Sequence, residues 1–239
     1  ENNLLPEEQY GFHAKRSTLR AVSLLHEIVR SRLLNKKRTY VAFIDLAKAF
    51  DKIDRSLLFT KLQKMYIPYK LCSTLFYIFN NIKIYLKAGE IRSEPFQSNI
   101  GGPQGDVSSA LLFSLFISDI VSHIPKIGPK INDIVVSLIL YADDMCLIAE
   151  SASDLQKMLD ALKVYCDDNK LEVNVGKTKV MIFHRGRLPE ESNDFEYAGE
   201  SLEIVKAFCY LGFWFSTQLS FTRHLETAIA KACAWIGLL

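Results

Sequence analysis

The sequence predicts an α+β fold in which helices alternate with antiparallel hairpins. Three observations carry that prediction. Apolar residues recur at helical spacing over 17–35 and again over 153–165. Short β-branched and aromatic runs stand at 39–45 (TYVAFID) and 180–183. The stretch 135–149, VVSLILYADDMCLIA, sets two aspartates between two apolar runs, the pattern of a strand, a tight turn and a returning strand. With 239 residues, 49% of them hydrophobic, the chain can bury a real core, as one large domain or two closely joined subdomains. That composition excludes a disordered protein.

Taken in order, Ser17 caps a helix to about Asn35, with Leu19, Val22, Leu25, Ile28, Val29 and Leu33 on its apolar face. The strand 39–45 follows. Asp54 caps a helix carrying Leu57, Leu58, Leu62 and Met65, and Pro68 fits the first turn of the next, which runs to about Phe79. Residues 82–100 hold short alternating segments broken at Gly89-Glu90, a hairpin. A Gly-rich turn, Gly101-Gly102-Pro103-Gln104-Gly105, opens an apolar helix to about Val121. After the Asp143-Asp144 hairpin, Ser153 and Gln156 form a capping box for a helix with Leu155, Met158, Leu159, Leu162 and Tyr165. The strand 180–183 and a strand pair over 208–215, with Gly212 inside it, complete the reading.

The net charge of +2 does not by itself call for nucleic acid. Lys15, Arg16, Arg20, Arg30, Arg32, Lys36, Lys37 and Arg38 crowd the N-terminal part; such a face can track phosphates or be a solvated helix face. The five cysteines are scattered and form no C-x-x-C pair, so they read as buried reduced thiols of an intracellular protein and suggest no zinc site. No apolar run is long enough to span a bilayer. The polar, acidic opening is no secretory signal. With no initiator Met and an apolar last stretch, the chain reads as a piece of a longer polypeptide.

Adjacent acids at a hairpin tip are, alone, ordinary turn residues. Asp45, however, ends an apolar strand far away in the chain. If the two strand systems pair in one sheet, Asp45, Asp143 and Asp144 meet at one edge. An oxygen-only ligand set suits Mg²⁺, and two such ions about 3.5–4 Å apart serve in-line phosphoryl transfer. Bare carboxylates so close would repel, so the arrangement makes sense with metal present.

The motifs make a resemblance. QYGFHAKRST from Gln9, AFIDLAKAFD from Ala42, GGPQGDVSSALLF from Gly101, YADD from Tyr141, LEVNVGKTKVM from Leu171 and FCYLGF from Phe208 stand in the order of the fingers motif, motifs A to D and the primer grip. The chain resembles a reverse transcriptase, most closely those of non-LTR (LINE-type) retrotransposons. The resemblance implies a polymerase palm, an antiparallel sheet with helices packed on one face, with partial fingers at 1–38 and the palm at 39–206. A further fingers segment is inserted at about 68–100, and a primer-grip hairpin with the start of a thumb follows at 207–239. It also implies an RNA template, a DNA primer or target DNA and deoxynucleotides as partners, Mg²⁺ (or Mn²⁺) as cofactor, and work inside the cell, in nucleus or cytoplasm, within a retrotransposon ribonucleoprotein.

By the same resemblance Asp45 and Asp143 bridge the metals, Asp144 is a weaker third acid, and the Leu46 carbonyl is a backbone ligand. Phe50, alone an ordinary core residue, matches the gate that rejects a 2′-hydroxyl. Gln104 and Gly105 match the nucleotide-side turn, where a plain helix start is the other reading. Lys177, alone a solvated lysine, matches a proton donor to pyrophosphate. Arg16 matches a fingers arginine near template or nucleotide. Cys209, Tyr210, Leu211 and Gly212 match the primer grip, an ordinary hairpin otherwise.

Two positions depart from the family pattern. Ala110 replaces a usual proline after Ser109, which continues a helix comfortably, and His13 stands where arginine is common. The alternatives are a decayed, catalytically inactive copy that only binds nucleic acid, against which the intact acids argue, and an RNA-dependent RNA polymerase, against which Phe50 argues.

Overall fold

The computed structural model describes residues 4–97, 100–101, 107–186 and 194–235. Helix α1 (Thr18–Leu34) leads into β1 (Thr39–Ile44), α2 (Arg55–Lys64) and α3 (Tyr69–Asn80). Four two-residue strands follow: β2 (Lys83–Ile84), β3 (Lys87–Ala88), β4 (Ile91–Arg92) and β5 (Phe96–Gln97). Then come α4 (Val107–Phe116), a 3₁₀ turn (Ser118–Ser122), and the small hairpin β6 (Lys130–Ile131) and β7 (Ile134–Val135). The hairpin β8 (Leu138–Tyr141) and β9 (Asp144–Ala149) precedes α5 (Ala152–Asp168) and β10 (Lys179–Phe183). The chain closes with β11 (Glu196–Tyr197), β12 (Glu200–Ser201), β13 (Glu203–Ile204), β14 (Ala207–Tyr210), β15 (Phe213–Ser216) and α6 (Thr222–Trp235).

The central sheet has the order β13-β10-β1-β9-β8. Strand β1, buried at every position, sits in the middle, antiparallel to both β10 and β9. Among the named strands of the described residues β13 alone joins parallel, beside β10. Because side chains alternate along a strand, β1 serves two cores. Tyr40, Ala42 and Ile44 join the helices α2, α4 and α5 on one face, as expected for the palm. Val41 and Phe43 join α1 and the β14–β15 hairpin on the other. Burying each Leu, Ile or Phe contributes about 1.5–3 kcal/mol, so tertiary packing rather than propensity holds the helices. On α1, Leu25, Ile28 and Val29 are fully or almost fully covered.

The caps at Ser17 and Asp54 stand where the sequence places them, accepting from the amides of Arg20 and Leu57. Several boundaries are corrected. The fifth helix starts earlier: Ser151, not Ser153, is its cap and accepts from Asp154 N, while Gln156 bonds Asp160 and the Glu196 backbone. Pro68 is the cap of α3 rather than part of its first turn. The apolar helix ends at Phe116, and a 3₁₀ turn fills the stretch to Ser122. Val135 belongs to the preceding small hairpin, so the aspartate hairpin begins at Leu138. Of the five free cysteines, Cys72, Cys146 and Cys166 are buried, Cys233 is half-buried and Cys209 is exposed, against the expectation that all are buried.

Candidate active site

The pairing of β1 with β9 brings the distant acids together. Ile44 faces Met145, and the same register carried one step further sets Asp45 beside Asp144. Alternation puts both on the face of Phe43 and Cys146. Asp143 sits in the two-residue turn between Tyr141 and Asp144, which are paired. The carboxyls feel one another. Burial, then the charges of Asp143 and Asp45, raise the Asp144 carboxyl to about 6, although that side chain still reaches solvent. Burial and Asp45 also raise Asp143, while its own amide partly offsets them.

Residues 171–178 clamp the Asp45 backbone. Thr178, buried, accepts the Asp45 amide at 3.2 Å, and Asn174 N donates to the Asp45 carbonyl at 2.8 Å. Ala47 N donates to the Glu172 carbonyl at 2.7 Å. The Leu46–Val173 bridge between these two bonds therefore leaves the Leu46 carbonyl outside the pair. Lys177 stands 3.9 Å from Asp45 Oδ2 with an exposed side chain.

A cavity of about 390 Å³ is lined by Asp45, Asp144, Lys177, Lys179, Cys209 and Tyr210, among others. The β14–β15 hairpin reaches it because Phe208 stacks on Phe43 at 4.5 Å and Tyr210 lies 5.2 Å from the same ring. Leu211 and Gly212, both at positive φ, form its turn. Phe43 is thus the anchor that sets the predicted primer grip beside Asp45. The Tyr210 hydroxyl is buried, with no hydrogen-bond partner among the described residues.

Other predicted residues lie elsewhere. Phe50 packs 5.0 Å from Phe113 of α4, on the helix-covered side. Arg16 pairs with Glu7 and lies over the Tyr10 ring at 4.7 Å. Arg30 and Arg32 of the basic group are paired with Glu27 and Glu150. Gln104 and Gly105 fall outside the described residues. Among the described residues no group of three or more His, Cys, Asp or Glu side chains is arranged to hold a metal ion.

Two residues without a role in the sequence reading shape this region. Gln9, fully buried, accepts from the Ala142 amide. Arg55, also buried, donates to the carbonyls of Phe79, Ile100 and Gly101. It thereby fixes the entry to the Gly-rich turn. Gly101 has φ +73, and a Cβ there would lie 2.5 Å from the Asp51 carbonyl oxygen, so only glycine fits. The signals were faint: Q-x-G inside a matched motif for Gln9, and nothing but an arginine at a helix start for Arg55.

Comparison with known proteins converges on one family. Residues 1–215 match the family described as "Reverse transcriptase (RNA-dependent DNA polymerase)". The chain is 28% identical over 239 residues to the "Probable RNA-directed DNA polymerase from transposon BS" of Drosophila melanogaster, covering 98% of this chain and 26% of that protein. It is 25% identical over 236 residues to the RNA-directed DNA polymerase from mobile element jockey of the same organism, covering 92% and 24%. The chain thus spans about a quarter of the length of these relatives. Among solved structures, apo telomerase from Candida tropicalis superposes with a TM-score of 0.60 at 13% identity, over 89% of this chain and 36% of that one. A form of it truncated from the C-terminal domain gives 0.59 at 16% identity, over 87% and 41%. This likeness shows the fold.

Proposed function

Because the chain belongs to the reverse transcriptase family, we propose that it is the palm-centred part of a retrotransposon enzyme that extends a DNA primer on an RNA template. The observation that carries this reading is the meeting of Asp45, Asp144 and Lys177 on one cavity, with Asp143 in the turn beside it.

The donor chemistry fits a divalent cation. The acids offer oxygen only, the preference of Mg²⁺, and two of them are raised by burial and, beside it, by neighbouring negative charge that a cation would relieve. Asp45, Asp143 and the Leu46 carbonyl would hold Mg²⁺, or Mn²⁺ in its place, with Asp144 as the outer acid. When bound, the ions supply charge stabilisation at the attacking and leaving oxygens. Lys177 presents an ammonium to the departing pyrophosphate and can pass it a proton. Phe50 closes the floor under the sugar and excludes a 2′-hydroxyl. Gln104, Gly105 and Arg16 contact the nucleotide or template. Cys209, Tyr210, Leu211 and Gly212 brace the primer end.

On this reading residues 1–38 are partial fingers, 39–206 the palm with a fingers insertion at about 68–100, and 207–239 the primer-grip hairpin and first thumb helix. The partners are RNA, a DNA primer or target DNA, and deoxynucleotides, inside the cell. No helix among the described residues is long and apolar enough to cross a membrane.

The test is extension of a labelled DNA primer on an RNA template by a polypeptide of the relatives' length that carries this chain. The wild type is expected to extend with Mg²⁺ and the Asp143→Asn variant to lose extension. Near-normal extension by Asp143→Asn would overturn the metal role. A wild type that binds template and primer but never extends would leave only nucleic-acid binding.

A further inference from the structure

The turn that carries Asp143 hangs from β8, and residues 8–11 run beside that strand. Leu140 N donates to the Glu8 carbonyl at 2.9 Å, and Tyr10 N donates to the Leu140 carbonyl at 2.7 Å. These bonds form a parallel bridge between Gln9 and Leu140. They drive the Gln9 side chain inward, where it is fully buried. Its Oε1 accepts twice, from Gly11 N at 2.9 Å and from Ala142 N at 3.1 Å. Two amide donors on one atom settle which end of the side chain is the oxygen.

Ala142 is the residue that needs such help. Its φ is +55, in the left-handed region, which costs a residue with a Cβ about 1–2 kcal/mol. It is also buried, so its amide cannot be satisfied by bulk water and would be costly if left bare. Gly11 completes the arrangement. A Cβ there would stand 2.7 Å from Ala142 N and 3.2 Å from Gln9 Oε1, so only glycine lets the segment approach the turn this closely. The surroundings account for the acceptor at position 9, while the other end of the amide, Nε2, is buried with no hydrogen-bond partner among the described residues. A neutral amide supplies the acceptor without adding a fourth negative charge beside Asp45, Asp143 and Asp144.

We infer that Gln9, seated by Gly11, is a positioning residue for the catalytic acids: it locks Ala142 in its left-handed conformation and so fixes where Asp143 and Asp144 are presented. The inference rests on the polymerase reading of those acids. It assigns to the segment before α1 a direct mechanical hold on the turn, 133 residues away in the chain.

The test uses the same polypeptide as the extension assay. Gln9→Met keeps the shape and removes the acceptor. Amide hydrogen exchange of the metal-free protein is expected to speed up at Ala142 by about tenfold, the equivalent of one net hydrogen bond, with protection over α5 unchanged. In primer extension, kcat is expected to fall by about tenfold or more, with the deoxynucleotide KM and template-primer Kd little changed. Adding Ala142→Gly, which adopts positive φ freely, is expected to recover part of kcat, a rescue that a general packing role would not produce. Gly11→Ala is expected to reproduce the Gln9→Met pattern. Unchanged exchange at Ala142, loss of protection spread across the sheet, or no rescue by Ala142→Gly would each overturn the inference. An inactive Asp143→Asn beside a fully active Gln9→Met sinks this inference alone. An active Asp143→Asn sinks the polymerase reading and leaves the exchange result to stand by itself.

Discussion

Two polar clusters lie on opposite faces of the central sheet and follow opposite rules. On the helix-covered face, Lys61 Nζ donates to Asp119 Oδ1 at 2.7 Å, to the Phe116 carbonyl at 2.8 Å and to Tyr165 Oη at 3.2 Å. The Tyr165 hydroxyl donates to the same Asp119 oxygen at 2.6 Å. Charges of opposite sign meet, and every ammonium proton has an acceptor. Burial pulls the Lys61 ammonium below its usual range, and Asp119 opposes it. At the other cluster Asp45, Asp143 and Asp144 share one sign, and burial and mutual repulsion both push Asp143 and Asp144 up. The first cluster ties α2, the 3₁₀ turn and α5 together and is complete as it stands. The second sets acids of one sign together, with Lys177 3.9 Å from Asp45, and on the proposed reading a bound cation would relieve their repulsion, which is how a site differs from a strut.

Four variants break or sharpen that contrast. The largest effect is expected from Asp45→Asn, which should lower primer extension by about a thousandfold without lowering the melting temperature. A parallel loss of stability would make the acids structural after all. Next, Asp119→Ala leaves Lys61 buried without this acid. Asp119 is itself partly exposed, so the cost lies between surface and buried pairs, about 2 kcal/mol. That is a fall of about 4–8 °C in Tm at unchanged activity per folded molecule. Activity falling further than stability would erase the distinction. Phe50 sharpens the contrast because it packs on the structural face yet is assigned a functional role. Phe50→Ala is expected to reduce discrimination against ribonucleotides by about tenfold in single-nucleotide incorporation, and unchanged discrimination would return Phe50 to the core.

The smallest effect is a gain. The folded Asp144 carboxyl titrates at about 6 and the unfolded one at 3.8. Between these values the folded protein holds the extra proton, so stability falls as pH rises through that window. Asp144→Asn should therefore stabilise the metal-free protein at pH 7, with the advantage fading towards pH 4. Because the side chain reaches solvent, the gain is discounted to about 2–4 °C in Tm. A loss of stability at pH 7 would show that the acid is compensated within the protein.

The sequence carried the elements and the identity of the acids further than it carried their supports. Periodicity and caps placed α1, β1 and α2 closely, because each signal lies within one turn or one strand. The cap of α5 was missed because Ser151 and Ser153 both have a polar residue three positions on. Ser151 wins since its hydroxyl also donates to the Asp154 carboxylate at 2.7 Å, leaving Gln156 to hold residue 196. Asp45 and Asp143 were legible through strand ends and motif order. Gln9 and Arg55 were not, since a lone Gln in an aperiodic stretch and an Arg at a helix start read as surface residues. Their burial comes from backbone carbonyls and amides brought in from distant segments. Arg16 was read as a fingers arginine near template or nucleotide, and nothing in its sequence neighbourhood revealed its pairing with Glu7.

The most direct measurement is a carboxyl-carbon NMR titration of Asp144 in the metal-free protein and again with millimolar Mg²⁺. An acid cluster built for a cation predicts titration near 6 without metal and a clear downward shift with it. Titration at the ordinary aspartate value in both conditions would contradict the account.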